Sequence, residues 1–136
     1  MQDYQPSPDL LRDRIILVTG AVEGIGRAVA RGAARLGATV VLCAKDEAQL
    51  EAVYDEIEAD GSPEPASLPL DLEQADEQLC LGVATTLGDE LGRLDGLVHC
   101  ATYVPFLSRI DDYDAKEWER VVRINLTAPF LLTQAC

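Results

Sequence analysis

The residues best suited to chemistry lie between an apolar run, Ile15 to Thr19, and the helical pattern that follows it. They read Thr19-Gly20-Ala21-Val22-Glu23-Gly24-Ile25-Gly26. Glycines let a backbone turn tightly and come close to a ligand. A helix start offers free N–H groups and the positive end of a dipole. That combination suits a diphosphate. The spacing is G-x-x-x-G-x-G. It is neither the G-x-G-x-x-G dinucleotide fingerprint nor a phosphate loop ending in Lys-Ser/Thr. A glycine-rich turn with no ligand is the plain alternative.

A second candidate lies at the end of the next apolar run, where Cys43-Ala44-Lys45-Asp46 follows Thr39 to Leu42. At that position in a nucleotide-binding sheet, an acid accepts hydrogen bonds from a ribose 2′-OH and a base pairs with a 2′-phosphate. Ala44 offers no acid and Lys45 offers a base, so NADP is favoured over NAD. Glu23 opposes that choice, and Lys45 also fits a plain surface charge. Asp46 is better explained as a helix cap, with Gln49 completing a capping box. Metal binding is not expected. Cys43, Cys80, Cys100 and Cys136 form no C-x-x-C pair, and His99 is the only histidine. Cys43 and Cys100 read as small core residues, and His99 as a hydrogen-bonded core residue.

The elements that must position these groups alternate. Strands are expected at Ile15 to Thr19, Thr39 to Ala44, Ala66 to Leu70 and Leu94 to Ala101. They are short apolar runs of the kind buried on both faces of a parallel sheet. The first helix should carry Ile25, Val29, Ala33 and Leu36 on its apolar face and end at Gly37. The second should carry Leu50, Val53 and Ile57 and end at Gly61. A third spans about Ala75 to Leu91. A last helix starts near Asp114, boxed with Glu117, and Pro129 should kink it. The order β-α-β-α-β-α-β-α predicts an α/β Rossmann-type, doubly wound parallel sheet in three αβα layers. It is truncated, with strand order 3-2-1-4. Residues 1–13 read as an N-terminal tail and 14–136 as the domain, incomplete at its C-terminus.

Composition bounds the partners. The chain has 136 residues, 48% of them apolar, and a formal charge of −13. That charge argues against a nucleic-acid backbone as partner, because its phosphates need Lys and Arg. A soluble, self-repelling surface explains the charge, and adaptation to high salt is a sharper alternative. No run approaches the roughly 20 apolar residues of a membrane span, and the start is not a secretory signal. A cytoplasmic, reduced protein is the default.

From Arg14 to Cys136 the chain resembles the short-chain dehydrogenase/reductase family. Four stretches carry the resemblance: T-G-A-V-E-G-I-G at 19–26, Asp71-Leu72, the strand ending His99-Cys100-Ala101-Thr102, and W-E-R-V-V-R-I-N-L-T-A-P-F-L-L from Trp118 to Leu132. The resemblance implies an NAD(P)-dependent oxidoreductase acting between an alcohol and a carbonyl. It implies cofactor contacts from Gly20, Val22, Glu23, Gly24, Ile25, Gly26, Lys45, Asp71, Leu72, Cys100 and Ala101. In these terms Asp71 and Leu72 hold adenine, Ala101 lines the ribose side, and Asn125 supports the active-site water chain. The last helix resembles the family's interface helix, which implies a homo-oligomer.

The departures are specific. His99-Cys100-Ala101-Thr102 replaces the family's N-N-A-G and loses two side-chain amides that tie strands together. Glu23 stands where relatives carry Ser or a base, and a carboxylate beside phosphate is unfavourable unless it points to solvent. The family's catalytic serine and Tyr-x-x-x-Lys have no counterpart here. Four residues after Tyr4, Tyr54, Tyr103 and Tyr113 stand Pro8, Glu58, Leu107 and Glu117. The expectation is the cofactor-binding half of a longer enzyme, inactive alone. The alternative is a non-catalytic dinucleotide-binding or interaction module. A Rossmann-like methyltransferase is disfavoured by the glycine spacing and by the missing acid at Ala44.

Overall fold

A computed structural model describes residues 4–136. The chain forms two compact units. The first comprises the described residues through Leu70 together with Arg93–Cys100; the second comprises Asp71–Gly92 and Ala101–Cys136.

The first unit holds the whole sheet. Its strands are β1 (Ile15–Thr19), β2 (Thr39–Ala44), β3 (Ala66–Pro69) and β4 (Gly96–His99), all parallel, in the order β3-β2-β1-β4. The α/β Rossmann-type sheet and its strand order are therefore as expected. Helices α1 (Gly24–Arg35) and α2 (Glu47–Ala59) supply the crossovers. Successive side chains on a strand point to opposite faces, so Val18, Val40 and Leu42 meet the helices. There they form one core with Ala30, Ala33 and Ala34 of α1 and Leu50, Val53 and Ile57 of α2. Leu17, Val41 and Cys43, which alternate with them, are also buried, which is why these strands read as unbroken apolar runs. Burial pushes the Cys43 thiol up to about 12. Cys43 is an inert core residue.

Local chemistry sets the helix ends. Asp46 accepts a hydrogen bond from the Gln49 N–H at 2.9 Å, and α2 starts behind it. Gly37 adopts φ +95 just after α1, a conformation other residues resist. Arg27 pairs with Glu56, and Arg31 and Arg35 both reach Asp60, at 2.8 and 2.9 Å, joining α1 to α2. Of the expected tail, residues 1–3 lie outside the described residues. Further along, Leu11 donates its N–H to the Leu36 carbonyl at 2.8 Å and packs on the core.

Three expectations need correcting here. Ile25 is 78% exposed, not on the apolar face of α1. It lies in the first helical turn, ahead of the buried Ala30-Ala33-Ala34 surface. Strand β4 covers only Gly96–His99, with its first three residues half-buried and His99 exposed. The reason is position: β4 is an edge strand among the described residues, so His99 is not in the core. Partial burial of the ring still holds the His99 pKa below its ordinary value.

The second unit is helical. A 3-10 turn (Leu72–Gln74) leads to α3 (Glu77–Leu91), which starts two residues later than expected because Asp76 caps it by accepting from the Leu79 N–H at 2.7 Å. Helix α4 (Ala115–Val122) runs into a π-helical turn (Arg123–Thr127) and then α5 (Ala128–Ala135). The change of winding comes just before Pro129, which has no N–H to donate to the preceding turn. Leu72, Ala75, Cys80, Val83, Leu87, Ala128 and Leu132 are its buried residues.

One glycine carries the tightest packing. A Cβ on Gly26 would run into the Gly20 carbonyl oxygen, lie 2.7 Å from the Gly20 carbonyl carbon and 3.1 Å from the Cys100 Cβ. Backbone cannot yield as a side-chain tip can. Gly26→Ala is therefore expected to cost about 2 kcal/mol and lower the melting temperature by roughly 8 °C. Gly32→Ala, also in α1 but with nothing within 4 Å, is expected to raise stability by about 0.5–1 kcal/mol and the melting temperature with it. Thermal denaturation followed by circular dichroism compares the two; equal melting temperatures would mean the close approach does not matter.

Candidate functional site

The residues singled out in the sequence fall on both units. In the first, the glycine turn joins β1 to α1. Gly20 and Gly24 take positive φ values, +65 and +49. Ala21 is buried, and its N–H donates to the Cys43 carbonyl at 3.3 Å, tying the turn to the end of β2. Val22 is half-buried against the core. Glu23 is the N-cap of α1, exposed, and makes no side-chain cap. The first turn of α1 contains no acid either. Elsewhere aspartates cap the helices: Asp46 on α2, Asp76 on α3 and Asp114 on α4. The start of α1 thus keeps an uncapped positive end. A Cβ on Gly24 would meet nothing within 4 Å, so the backbone there faces open space. Exposed Ile25 stands next to it.

Lys45 is exposed and follows the last residue of β2. The Ala44 carbonyl accepts from the Leu70 N–H at 2.9 Å, which fixes the strand end that presents Lys45. Cys100 is half-buried, packs on the core and donates its N–H to the Thr19 carbonyl at 3.2 Å. Its backbone therefore continues the pairing with β1 that the missing amide side chains would have reinforced.

In the second unit, Asp71 accepts from the Glu73 N–H at 3.0 Å and so shapes the 3-10 turn, while Leu72 is buried. Ala101 is half-buried. Asn125 lies in the π-helical turn. Its Oδ1 accepts from the Tyr103 N–H at 2.8 Å and its Nδ2 donates to the Tyr103 carbonyl at 2.7 Å. The carboxamide therefore clamps both backbone groups of one residue.

The other end of Tyr103 is held too, by residues that sequence reasoning missed. The Tyr103 hydroxyl donates to Glu117 at 3.0 Å and accepts from Arg120 Nη1 at 2.8 Å. The Arg120 guanidinium lies 4.3 Å from the ring centroid, a cation–π contact. Its Nε donates to Glu73 at 2.9 Å. Burial first, and then the Glu117 hydrogen bond, raise the Tyr103 pKa, so the phenol stays a donor at neutral pH. Glu117 was expected to complete a capping box, but it turns to Tyr103. Asp114 caps α4 alone, accepting from the N–H groups of Lys116 and Glu117. The sequence signal for this cluster was weak: Glu117 and Arg120 stand three apart on one helix, and nothing local marks Tyr103 or Glu73 as their partners.

Residues 14–136 match the family described as short chain dehydrogenase. This chain belongs to the short chain dehydrogenase family. It is 39% identical over 132 residues to the oxidoreductase YciK of Escherichia coli K12, covering 97% of this chain and 52% of that protein. It superposes with TM-score 0.94 and 41% identity on a short chain dehydrogenase structure from Pseudomonas syringae, over 99% of this chain and 56% of that one. A short chain dehydrogenase from Escherichia coli CFT073, solved as a complex with NADPH, matches with TM-score 0.91 and 39% identity over 96% of this chain and 54% of its own. The chain spans about half the length of the relatives it matches. No helix among the described residues is long and apolar enough to cross a membrane.

The Asn125 clamp can be tested without any ligand. Asn125→Asp keeps the size of the side chain but sets a carboxylate oxygen against the Tyr103 carbonyl in place of the N–H donor. We expect a loss of roughly 1–3 kcal/mol, with Asn125→Ala milder, measured by denaturant unfolding. If Asp proves as stable as Asn, the second hydrogen bond of the clamp contributes nothing.

Proposed function

We propose that this chain binds NADP(H) and supplies the cofactor-binding half of an oxidoreductase that interconverts an alcohol and a carbonyl compound. The observation that carries the reading is the glycine turn. Gly24 faces open space at a positive φ, beside the one start among α1 to α4 that no aspartate caps. A diphosphate fits there because N–H groups and a dipole end meet its charge, and no side chain bars its approach. In this reading Gly20, Val22, Glu23, Gly24, Ile25 and Gly26 form the diphosphate turn, with Glu23 turned to solvent. Lys45 meets the 2′-phosphate, Asp71 and Leu72 hold adenine, and Cys100 and Ala101 line the ribose side.

When bound, the nicotinamide would give or take the hydride. The chain's own residues orient it: Asn125 fixes the backbone that follows Ala101 and supports the acid–base group. No tyrosine of this chain has a lysine four residues on, so we assign that group to the family's serine and Tyr-x-x-x-Lys outside this sequence. Residues 1–136 alone are inactive in this account. NADP is preferred over NAD because Lys45 follows Ala44 where an acid would select NAD. The NADPH complex of the Escherichia coli CFT073 relative supports the same preference. Trp118, Leu126 and Phe130, respectively 57%, 66% and 61% exposed, support assembly of the whole enzyme into a homo-oligomer through the last helical stretch of this chain, α4 to α5. A small-molecule substrate and a cytoplasmic location complete the reading.

Two substitutions test it. Gly24→Val fills the open space and strains a left-handed backbone position, so NADPH binding should be lost while the circular dichroism spectrum is kept; a folded variant with unchanged affinity would sink the site assignment. Lys45→Asp exchanges a charge-assisted partner of the 2′-phosphate for a repulsive one. The NADPH-to-NADH affinity ratio, from fluorescence titration, should then fall roughly tenfold or more. A ratio that stays put would make Lys45 a plain surface residue.

A further inference from the structure

We propose that Arg120 is a positioning residue for dinucleotide binding. It fixes the segment beginning at Asp71 relative to the segment Ala101–Tyr103. The proposal rests on the reading above, in which both segments touch one cofactor. The observation behind it is that one side chain bonds to both. Arg120 Nε holds Glu73, two residues after Asp71, at 2.9 Å. Arg120 Nη1 holds the Tyr103 hydroxyl, two residues after Ala101, at 2.8 Å. Those partners lie 47 and 17 residues away in sequence, so no local turn sets their spacing.

Each segment is rigid on its own side of the tie. Asp71 locks the turn that carries Leu72 and Glu73 through the Glu73 N–H. Asn125 grips both backbone groups of Tyr103, and Glu117 accepts a hydrogen bond from its phenol. A tie between rigid segments transmits position; between loose ones it would not. The side chains of Arg120 and Glu73 are only 36% and 31% exposed, so the pair is better shielded than a surface ion pair. The guanidinium is planar, bonds through two of its nitrogens and stacks on the Tyr103 ring. Lysine can reproduce its charge but not this fork.

A ligand that touches two segments at once gains only if their spacing is already right; otherwise part of its binding energy goes into ordering them. Arg120 has no need to contact the cofactor to affect its affinity. A purely structural residue would lower stability, and affinity would change only as far as the fold itself failed.

The test is equilibrium binding of NADPH at 25 °C to the native protein and four variants, with melting temperatures in parallel. Arg120→Met should weaken binding about tenfold, and Tyr103→Phe, which removes only the hydroxyl, about threefold. Arg120→Lys should fall between Met and Arg. Leu87→Ala, in the buried core of α3 outside the network, is the stability control. It should lower the melting temperature at least as much as Arg120→Met yet bind within about twofold of the parent. Affinity losses that simply follow melting temperature, Leu87→Ala included, overturn the proposal, as does Arg120→Met binding like the parent. If Arg120→Met does not fold, Tyr103→Phe decides, and unchanged affinity there overturns it. A parent that fails to bind NADPH defeats the dinucleotide reading itself, and this proposal with it, before any substitution is compared.

Discussion

The first unit depends on how closely α1 approaches the turn that precedes it. Gly26 lies so near the Gly20 carbonyl that no β-carbon fits without a shift, and Cys100, just after the edge strand, closes the space. Small residues continue the approach along the helix: Ala30, Ala33 and Ala34 are all buried against β1 and β2. A larger residue at any of them would lift α1 from the sheet and carry the glycine turn with it. The packing that stabilises the core thus also sets the geometry of the proposed diphosphate turn. Burial supplies the energy, since each fully buried Leu, Ile or Val contributes roughly 1.5–3 kcal/mol. The turn is positioned by that burial together with the bond from the Ala21 N–H to the Cys43 carbonyl.

Charge plays a secondary role in holding the fold. The chain has 24 acids and 11 bases. Arginines are largely committed to acids: Arg27, Arg31 and Arg35 to Glu56 and Asp60, Arg14 and Arg93 to Asp95, Arg120 to Glu73. Most of these pairs are partly exposed and individually weak. Asp95 is more tightly held. It accepts from the Ile15 N–H at 2.9 Å and from Arg14 at 3.0 Å. The Ile15 N–H first, and then Arg93, lower its pKa to about 2. A carboxyl lowered on folding stabilises the native state above its unfolded pKa of roughly 3.9, and that contribution fades as pH falls through the folded value. Asp95 therefore fastens the start of β1 to the approach to β4 at neutral pH, and that contribution is lost only in strong acid.

Most of the architecture was legible in the sequence because it is local. The apolar runs gave the strands, Asp46 and Asp114 gave two helix starts, and Gly37 and Gly61 gave two helix ends. The parallel order followed from the alternation of elements. What escaped was set by neighbours distant in sequence. Ile25 fits the helical period, yet its face is decided by where the core lies. His99 sits in an apolar run, yet its exposure is decided by the absence of a strand beyond β4 among the described residues. Tyr103, Arg120 and Glu73 are spread over 48 positions of sequence, and no periodicity joins them. Asn125 was picked out by resemblance alone; its grip on the Tyr103 backbone needed coordinates.

Glu23 and Lys45 together constrain how a phosphorylated ligand could be held. One brings a negative charge to the glycine turn and the other a positive charge to the end of β2, both exposed. Coulomb attraction falls with distance, and salt screens exposed charges over a Debye length of roughly 8 Å in physiological salt. Each should therefore bear mainly on the phosphate nearest to it. At the turn the side-chain charge is unfavourable, so attraction has to come from backbone N–H groups and the end of the helix dipole, which belong to the fold. At the strand end it is favourable, and comes from a side chain that one substitution can change. In the proposed reading, then, affinity for the diphosphate is tied to the packing of α1, whereas discrimination at the 2′ position is not. The two can vary independently, because a change at Lys45 leaves Gly20, Gly24 and Gly26, and the close packing beneath them, untouched.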